Sequence, residues 1–156
     1  MERIIIAVDG SRGAQAAVKE GVELARIMGA SVTFVAVRHA IPLLGDPFYQ
    51  RKLTEQMAAL KPGLEQAMEE ADRAGVNADY EIAEGSIVSE ILRAARYREA
   101  GMIVVGSRGL GAFRGALLGS VSMGLVELSP LPVLVVKEGR AAERPLEQAE
   151  RELVRA

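Results

Sequence analysis

Apolar residues along the chain change their spacing in a regular rhythm. Ile4 to Val8 is a short, nearly continuous apolar run rich in β-branched residues, the pattern of a strand buried on both faces. Asp9-Gly10-Ser11 ends the run and supplies a turn and a helix cap. Ala14, Val18, Val22, Ala25 and Met28 then recur at helical spacing, and Gly29 is placed to stop the helix. Ser31 to Val37, rich in Val and Thr, predicts a second strand. Arg38 to Arg51 contains Pro42, Gly45 and Pro47 and reads as a loop. A helical stretch follows from about Lys52 to Ala74 and ends at Gly75; Pro62-Gly63 inside it predicts a kink or two short helices. Val76 to Ala83 alternates, with Val76, Ala78, Tyr80 and Ile82 on one face of a strand. Gly85-Ser86 opens a helix carrying Ile87, Val88, Ile91, Leu92 and Ala95 on one side. Met102 to Val105 is a further apolar strand, Ser120 to Leu128 a helix, and Val133 to Val136 a last strand behind Pro130 and Pro132. Five strands alternating with helices predict an α/β fold, an open five-stranded, mostly parallel sheet with helices on both faces.

The 156 residues suit one domain with a sizeable core. Residues 1–137 form that domain in this reading. Residues 138–156 are a charged C-terminal tail, a weak solvated helix or a frayed end, with Leu146, Ala149 and Leu153 as a narrow apolar stripe. Hydrophobic residues at 49% exclude disorder as the main state, and no apolar run is long enough for a spanning helix. Met1-Glu2-Arg3 before Ile4 lacks the marks of an export leader, so a cytoplasmic location and no membrane association are expected. Cysteine is absent, which removes disulfides, thiolate metal sites and Cys nucleophiles. A net charge of −2 and 4% aromatic residues without Trp disfavour a nucleic-acid surface. With His39 the one histidine, multi-histidine metal sites are excluded.

Seven of the sixteen glycines fall between Gly101 and Gly124. The segment leaves a buried strand at Gly106-Ser107-Arg108-Gly109-Leu110-Gly111 and enters a helix at Gly119-Ser120-Val121-Ser122. Ligands of open α/β sheets bind at that end of the strands. Glycines let main-chain N–H groups approach a ligand closely, and several such groups beside a helix N-terminus make an anion cradle. Ser120 and Ser122 add hydroxyls, and Arg108 and Arg114 add charge suited to phosphate oxygens. The residues alone therefore point to a phosphate-containing ligand, against the alternative of a glycine-rich loop that binds nothing. No Gly-Lys-Ser/Thr occurs, so this is not a Walker A loop. Arg114 stands where the dinucleotide fingerprint would need its third glycine.

The spacing Gly106-x2-Gly109-x9-Gly119-Ser120 resembles the ATP-binding signature of the universal stress protein family. Ile103-Val-Val-Gly-Ser-Arg-Gly-Leu-Gly111, Leu117-Leu-Gly-Ser-Val-Ser122, Pro132-Val-Leu-Val-Val136 and the opening Ile4-Ile-Ile-Ala-Val-Asp9-Gly-Ser11 carry the same likeness, over roughly Arg3 to Lys137. The resemblance implies a nucleotide-binding α/β fold of the adenine nucleotide alpha hydrolase type, with ATP over the C-terminal ends of the strands, accompanied by Mg2+. It implies that Gly106, Gly109, Gly119 and Ser120 hold phosphates and ribose, with Ser107, Arg108, Leu110, Gly111, Val121 and Ser122 beside them. It places Ala7, Val8 and Asp9 at the nucleoside and the Val37 main chain against adenine. It further implies a homodimer paired through Val133–Val136, and a stress-response regulatory role. Gly101, where the family is often acidic, and Ala112-Phe113 depart from the pattern. Without a Walker lysine, a Walker B partner or a placed general base, weak ATP hydrolysis or slow self-phosphorylation on a loop serine is the most enzymatic reading, and no catalytic residue is assigned.

Several residues carry duller alternatives. Asp9 reads either as a ribose ligand or as a turn residue before the first helix. His39 reads as a loop histidine and Glu84 as a solvated acid. Met57, Met68 and Met123 read as core filler, and Arg93, Arg96 and Arg98 as a solvated basic face.

Overall fold

Ile4, Ile5 and Ile6 are all fully buried, as a strand covered on both faces requires. They belong to β1 (Arg3–Ala7), the central strand of the sheet. The computed structural model describes residues 2–41, 48–109, 118–138 and 154. After β1 come α1 (Arg12–Met28), β2 (Ser31–Arg38), α2 (Tyr49–Arg73), β3 (Ala78–Glu84), α3 (Ile87–Tyr97), β4 (Met102–Gly106), α4 (Ser120–Leu128) and β5 (Val133–Val136). The strands order as β3-β2-β1-β4-β5, and every pairing is parallel. One face of the sheet packs Ile4, Ile6 and Phe34 against Val18 and Val22 of α1 and Leu64 and Ala67 of α2. The other packs Ile5, Val35 and Ile103 against Ile91 and Ala95 of α3 and Leu125 of α4. Among the described residues no helix is long and apolar enough to cross a membrane.

The ends of α1 follow from its sequence. The Ser11 hydroxyl accepts the Ala14 N–H at 3.1 Å, and Gly29 closes the helix in the left-handed region at φ 64°. α2 begins earlier than expected, at Tyr49, and of the two alternatives at Pro62-Gly63 the two short helices are excluded, since both residues lie inside one helix of 25 residues. Pro62 and Ala58 are exposed, so water can take the Ala58 carbonyl that Pro62 has no N–H to bond. Gly63 is used for contact: a Cβ there would come within 3.1 Å of the Gly10 Cα.

β3 also differs. It spans Ala78–Glu84, and Tyr80 is 54% exposed because β3 is an edge strand. Its start is tied into the sheet by a polar network on the α3 face. The Thr33 hydroxyl, fully buried on β2, donates to Asp79 Oδ1 at 2.6 Å and accepts from Arg3 Nη1 at 2.6 Å. Arg98 Nη1 donates to Asp79 Oδ2 at 2.9 Å. Burial alone would raise the Asp79 carboxyl, but the Thr33 hydroxyl and the Arg98 and Arg3 guanidiniums outweigh it and hold the group below its ordinary value. The expected solvated basic face holds for Arg93 and Arg96, which are both exposed, with Arg93 also paired to Glu81 and Glu90; it is corrected for Arg98, which is half-buried and paired with Asp79 and Glu81. Met57 and Met123 are exposed as well, so of the three methionines expected in the core only Met68 packs there.

Candidate functional site

A cavity of about 450 Å3 opens at the C-terminal ends of β1, β2 and β4. The order of strands places β2 on one side of β1 and β4 on the other, so the chain's winding reverses there and the helices diverge. Ala7, Val8 and Asp9 form the floor, Val37 one side, and Gly106, Arg108, Gly109, Gly119, Ser120, Val121 and Ser122 the other. Ser107 is buried beneath this wall, and Leu110 and Gly111 lie outside the described residues. The lining also holds His39, read from sequence as a loop histidine, and Ser11, Ala14, Val35, Arg38, Gln56, Ala59, Leu60, Ile87, Ile91 and Val105, which the sequence did not assign to a site. Ala59 and Leu60 come from α2, and Ile87 and Ile91 from α3. Nothing in a strand or helix pattern distinguishes them from ordinary core positions, since a cleft wall and a core face share the same periodicity.

The β2 side presents main chain. β1 ends its pairing with β2 at Ala7 opposite Val35, and the Val8 N–H donates to the Val35 carbonyl at 2.9 Å. Backbone groups alternate sides along a strand, so Val37 faces the same way as Val35. At Val37 β1 has ended. Its N–H and C=O point past the last rung toward the cavity, while Arg38 turns the other way and takes the Gly85 N–H at 3.1 Å.

The β4 side presents a helix start. Gly119 is the residue before α4, with φ −80° and ψ 169° and no side-chain cap. The first bond inside α4 runs from the Met123 N–H to the Gly119 carbonyl, so the N–H groups of Ser120, Val121 and Ser122 have no partner within the helix. No acidic residue stands in this first turn. The positive end of a helix aimed into a cavity is an anion site. The strand and helix are locked together below it: the Gly119 N–H donates to the Ser107 carbonyl at 2.6 Å, the Ser107 N–H to the Val136 carbonyl at 2.7 Å, and the Ser122 hydroxyl to the Ser107 carbonyl at 2.9 Å. Ser122 therefore differs from expectation in role: its hydroxyl is engaged with the Ser107 and Gly119 carbonyls, while Ser120 is exposed.

Close backbone packing sets the position of this wall. A Cβ on Gly106 would lie 2.5 Å from the carbonyl carbon and oxygen of Gly13 in α1, and a Cβ on Gly13 would overlap the Arg108 carbonyl. A Cβ on Gly109 would reach 2.7 Å from Asp9 Oδ2. Asp9 Oδ1 accepts the Ser11 N–H at 2.9 Å, so one oxygen organises the turn while the other faces Gly109 at the cleft. The two readings of Asp9 are compatible in geometry. His39 lines the cleft although it is exposed, and Glu84 is exposed as expected while also forming an ion pair with Arg38 at the paired ends of β2 and β3. Among the described residues no group of three or more His, Asp or Glu is placed to hold a metal by itself.

Comparison with known proteins adds an independent line. The sequence model of the universal stress protein family matches residues 1–137. Universal stress protein YxiE of Bacillus subtilis is 33% identical over 145 residues, covering 86% of this chain and 98% of that protein. A universal stress protein solved in complex with cAMP aligns with a TM-score of 0.72 at 23% identity, over 88% of this chain and 98% of that one. A universal stress protein family protein from Arabidopsis thaliana solved with AMP bound aligns with a TM-score of 0.64 at 21% identity, over 96% and 99% of the two chains. At these identities the two structures establish a shared fold.

Proposed function

The chain belongs to the universal stress protein family, and from that premise we propose that its cleft binds an adenine nucleotide, ATP with Mg2+, as a regulatory domain acting as a homodimer. The observation that carries the reading is the pairing of two main-chain features across one cavity. The Val37 peptide offers a donor and an acceptor, the complement of an adenine edge, and the first turn of α4 offers N–H groups to an anion. Apolar residues such as Val35, Leu60 and Ile87 supply a slot for a planar base between them. Two structural relatives that carry cAMP and AMP support the ligand class.

Within this reading Asp9 meets the ribose and Arg108 adds charge beside the phosphates. The donor set fits Mg2+ held mainly by phosphate oxygens and water, with Asp9 the carboxylate in the described lining. Bound there, Mg2+ would neutralise phosphate charge. The dimer forms through β5, which among the described residues pairs only with β4 and offers its outer edge to a second copy.

Release of nucleotide from freshly purified protein, with identification by mass, tests the ligand. Titration calorimetry then ranks ATP, ADP, AMP and cAMP with and without Mg2+. Saturation at a hundred times Kd should raise stability by about 2.7 kcal/mol. Absence of both co-purified nucleotide and any thermal shift at millimolar ATP would refute the assignment, and a turnover assay on the same samples separates a binder from a slow ATPase.

A further inference from the structure

Two side-chain atoms of cleft residues are shut off from water and have no hydrogen-bond partner among the described residues: Nη1 of Arg38 and Oε1 of Gln56. A buried donor and a buried acceptor left unpaired are each unfavourable for the empty protein, so folding alone gives no reason for them. The Arg38 atom cannot easily be relieved by rotation into solvent. Arg38 is pinned through Nη2 to the Glu84 carboxylate, across the last rung between β2 and β3, and its side chain is largely buried. Gln56 comes from α2, on a wall that is otherwise lined by Ala59 and Leu60.

Resting on the reading of the cleft as an adenine nucleotide site, we infer that Arg38 and Gln56 determine which purine the cleft accepts. Gln56 Oε1 accepts a hydrogen bond from the exocyclic amino group, and Arg38 Nη1 donates to the neighbouring ring nitrogen. Along the edge formed by N7 and the 6-substituent, adenine places an acceptor beside a donor, which matches this pair. Hypoxanthine and guanine place two acceptors there, which sets a carbonyl oxygen against Oε1 and leaves one buried polar group unpaired. The Val37 peptide reads the opposite edge of the base, and the two side chains add a second point of discrimination at N7 and the 6-substituent.

The test is calorimetric titration of the full chain with ATP and with inosine triphosphate, each with Mg2+, for wild type, Gln56→Leu and Arg38→Lys. Wild type should bind ATP at least about tenfold more tightly than inosine triphosphate. Gln56→Leu removes the unpaired amide at nearly constant volume. It should unfold without nucleotide at the wild-type temperature or above, yet lose about tenfold in ATP affinity and narrow the ratio between the two Kd values. Arg38→Lys keeps a cation for Glu84 and should show the same narrowing if the leucine variant does not fold. A wild type that treats the two nucleotides alike, or variants that keep the wild-type preference, would overturn the inference. A wild type that binds neither nucleotide would instead overturn the reading of the cleft itself.

Discussion

Replacing Gly106 with Ala tests whether the cleft wall is positioned by backbone packing. Gly106 ends β4 with no positive φ, so its backbone accepts a side chain, and alanine should even gain about 0.4–1 kcal/mol by narrowing the unfolded ensemble. The structure opposes that gain. The new Cβ would lie 2.5 Å from both the carbonyl carbon and oxygen of Gly13, and 3.0 Å from the Ala14 nitrogen. These are atoms of the first turn of α1, which is fixed by the Ser11 cap and cannot rotate aside as a side chain could. The wall must retreat from α1 by about 0.5 Å or more, and overpacking of this kind costs about 1–3 kcal/mol. The net expectation is a loss of about 1–2 kcal/mol. For a domain of this size that lowers the midpoint by about 3–8 °C. The retreat also carries Ser107 and the hydrogen bonds it makes to Gly119 and Ser122, so the amides of α4 shift relative to the floor. Nucleotide affinity should fall about tenfold or more, since hydrogen bonds weaken steeply beyond their usual 2.7–3.2 Å range. Differential scanning calorimetry with and without ATP measures both effects. An alanine variant as stable as wild type, or more stable, would show that β4 and α1 do not approach this closely.

Gly119→Val should behave in the opposite way. Its backbone is already extended, and a Cβ would find only ordinary contact at 3.5 Å, so the midpoint without nucleotide should move by no more than about 1 °C while the ATP-induced shift is lost. Asp79→Asn should destabilise by about 1 kcal/mol at pH 7, where the carboxylate pairs with Arg3 and Arg98. The Asp79 carboxyl is depressed in the folded state, so its contribution is present above the unfolded value near pH 3.9 and is lost as pH falls through the folded one. Denaturant midpoints of wild type and variant should therefore converge below about pH 4, and a constant difference down to pH 2 would refute the ion-pair account. Leu134→Arg places a charge on β5, the last strand of the sheet among the described residues, where Leu134 is exposed, and sedimentation should report a monomer that keeps its nucleotide shift.

Much of the architecture was legible because each signal was local. Ile4–Ile6 and Ile103–Val105 are buried on both faces, so continuous apolar runs marked them, and Ser11 and Gly29 bracketed α1 by cap chemistry. Pro62 left a kink and two short helices both open because a proline on the solvent side of a helix leaves its unmatched carbonyl to water, and sequence does not reveal which side it will take. Tyr80 misled because alternation predicts two faces but not that β3 lies at the edge of the sheet. The same blindness to long-range pairing hid the network around Thr33, whose partners lie 30 and 46 positions away. In the site, the glycine spacing and Asp9 were visible in order along the chain. Arg38 and Gln56 were not, because one sits in what read as the start of a loop and the other on an amphipathic helix, and only folding brings them to one cavity.

The glycine signature merges two demands that the structure separates. Gly106 and Gly13 are small because two backbones touch there, whatever the ligand, whereas Gly119 faces little protein and is small where the cavity begins. The cavity itself arises from stagger: β2 and β3 continue for three residues past the last rung with β1, and α4 starts beyond the end of β4. Both ends of the cleft are therefore main chain, and main-chain groups cannot be deleted by substitution. Removing a single lining side chain such as Arg108, which is partly exposed and screened by solvent, should weaken nucleotide binding by about 0.2–1 kcal/mol, less than the loss expected for Gly106→Ala. Moving the wall through Gly106 displaces several contacts together. A loss of affinity for Arg108→Ala larger than for Gly106→Ala would mean that charge, and not the preformed backbone, carries the binding.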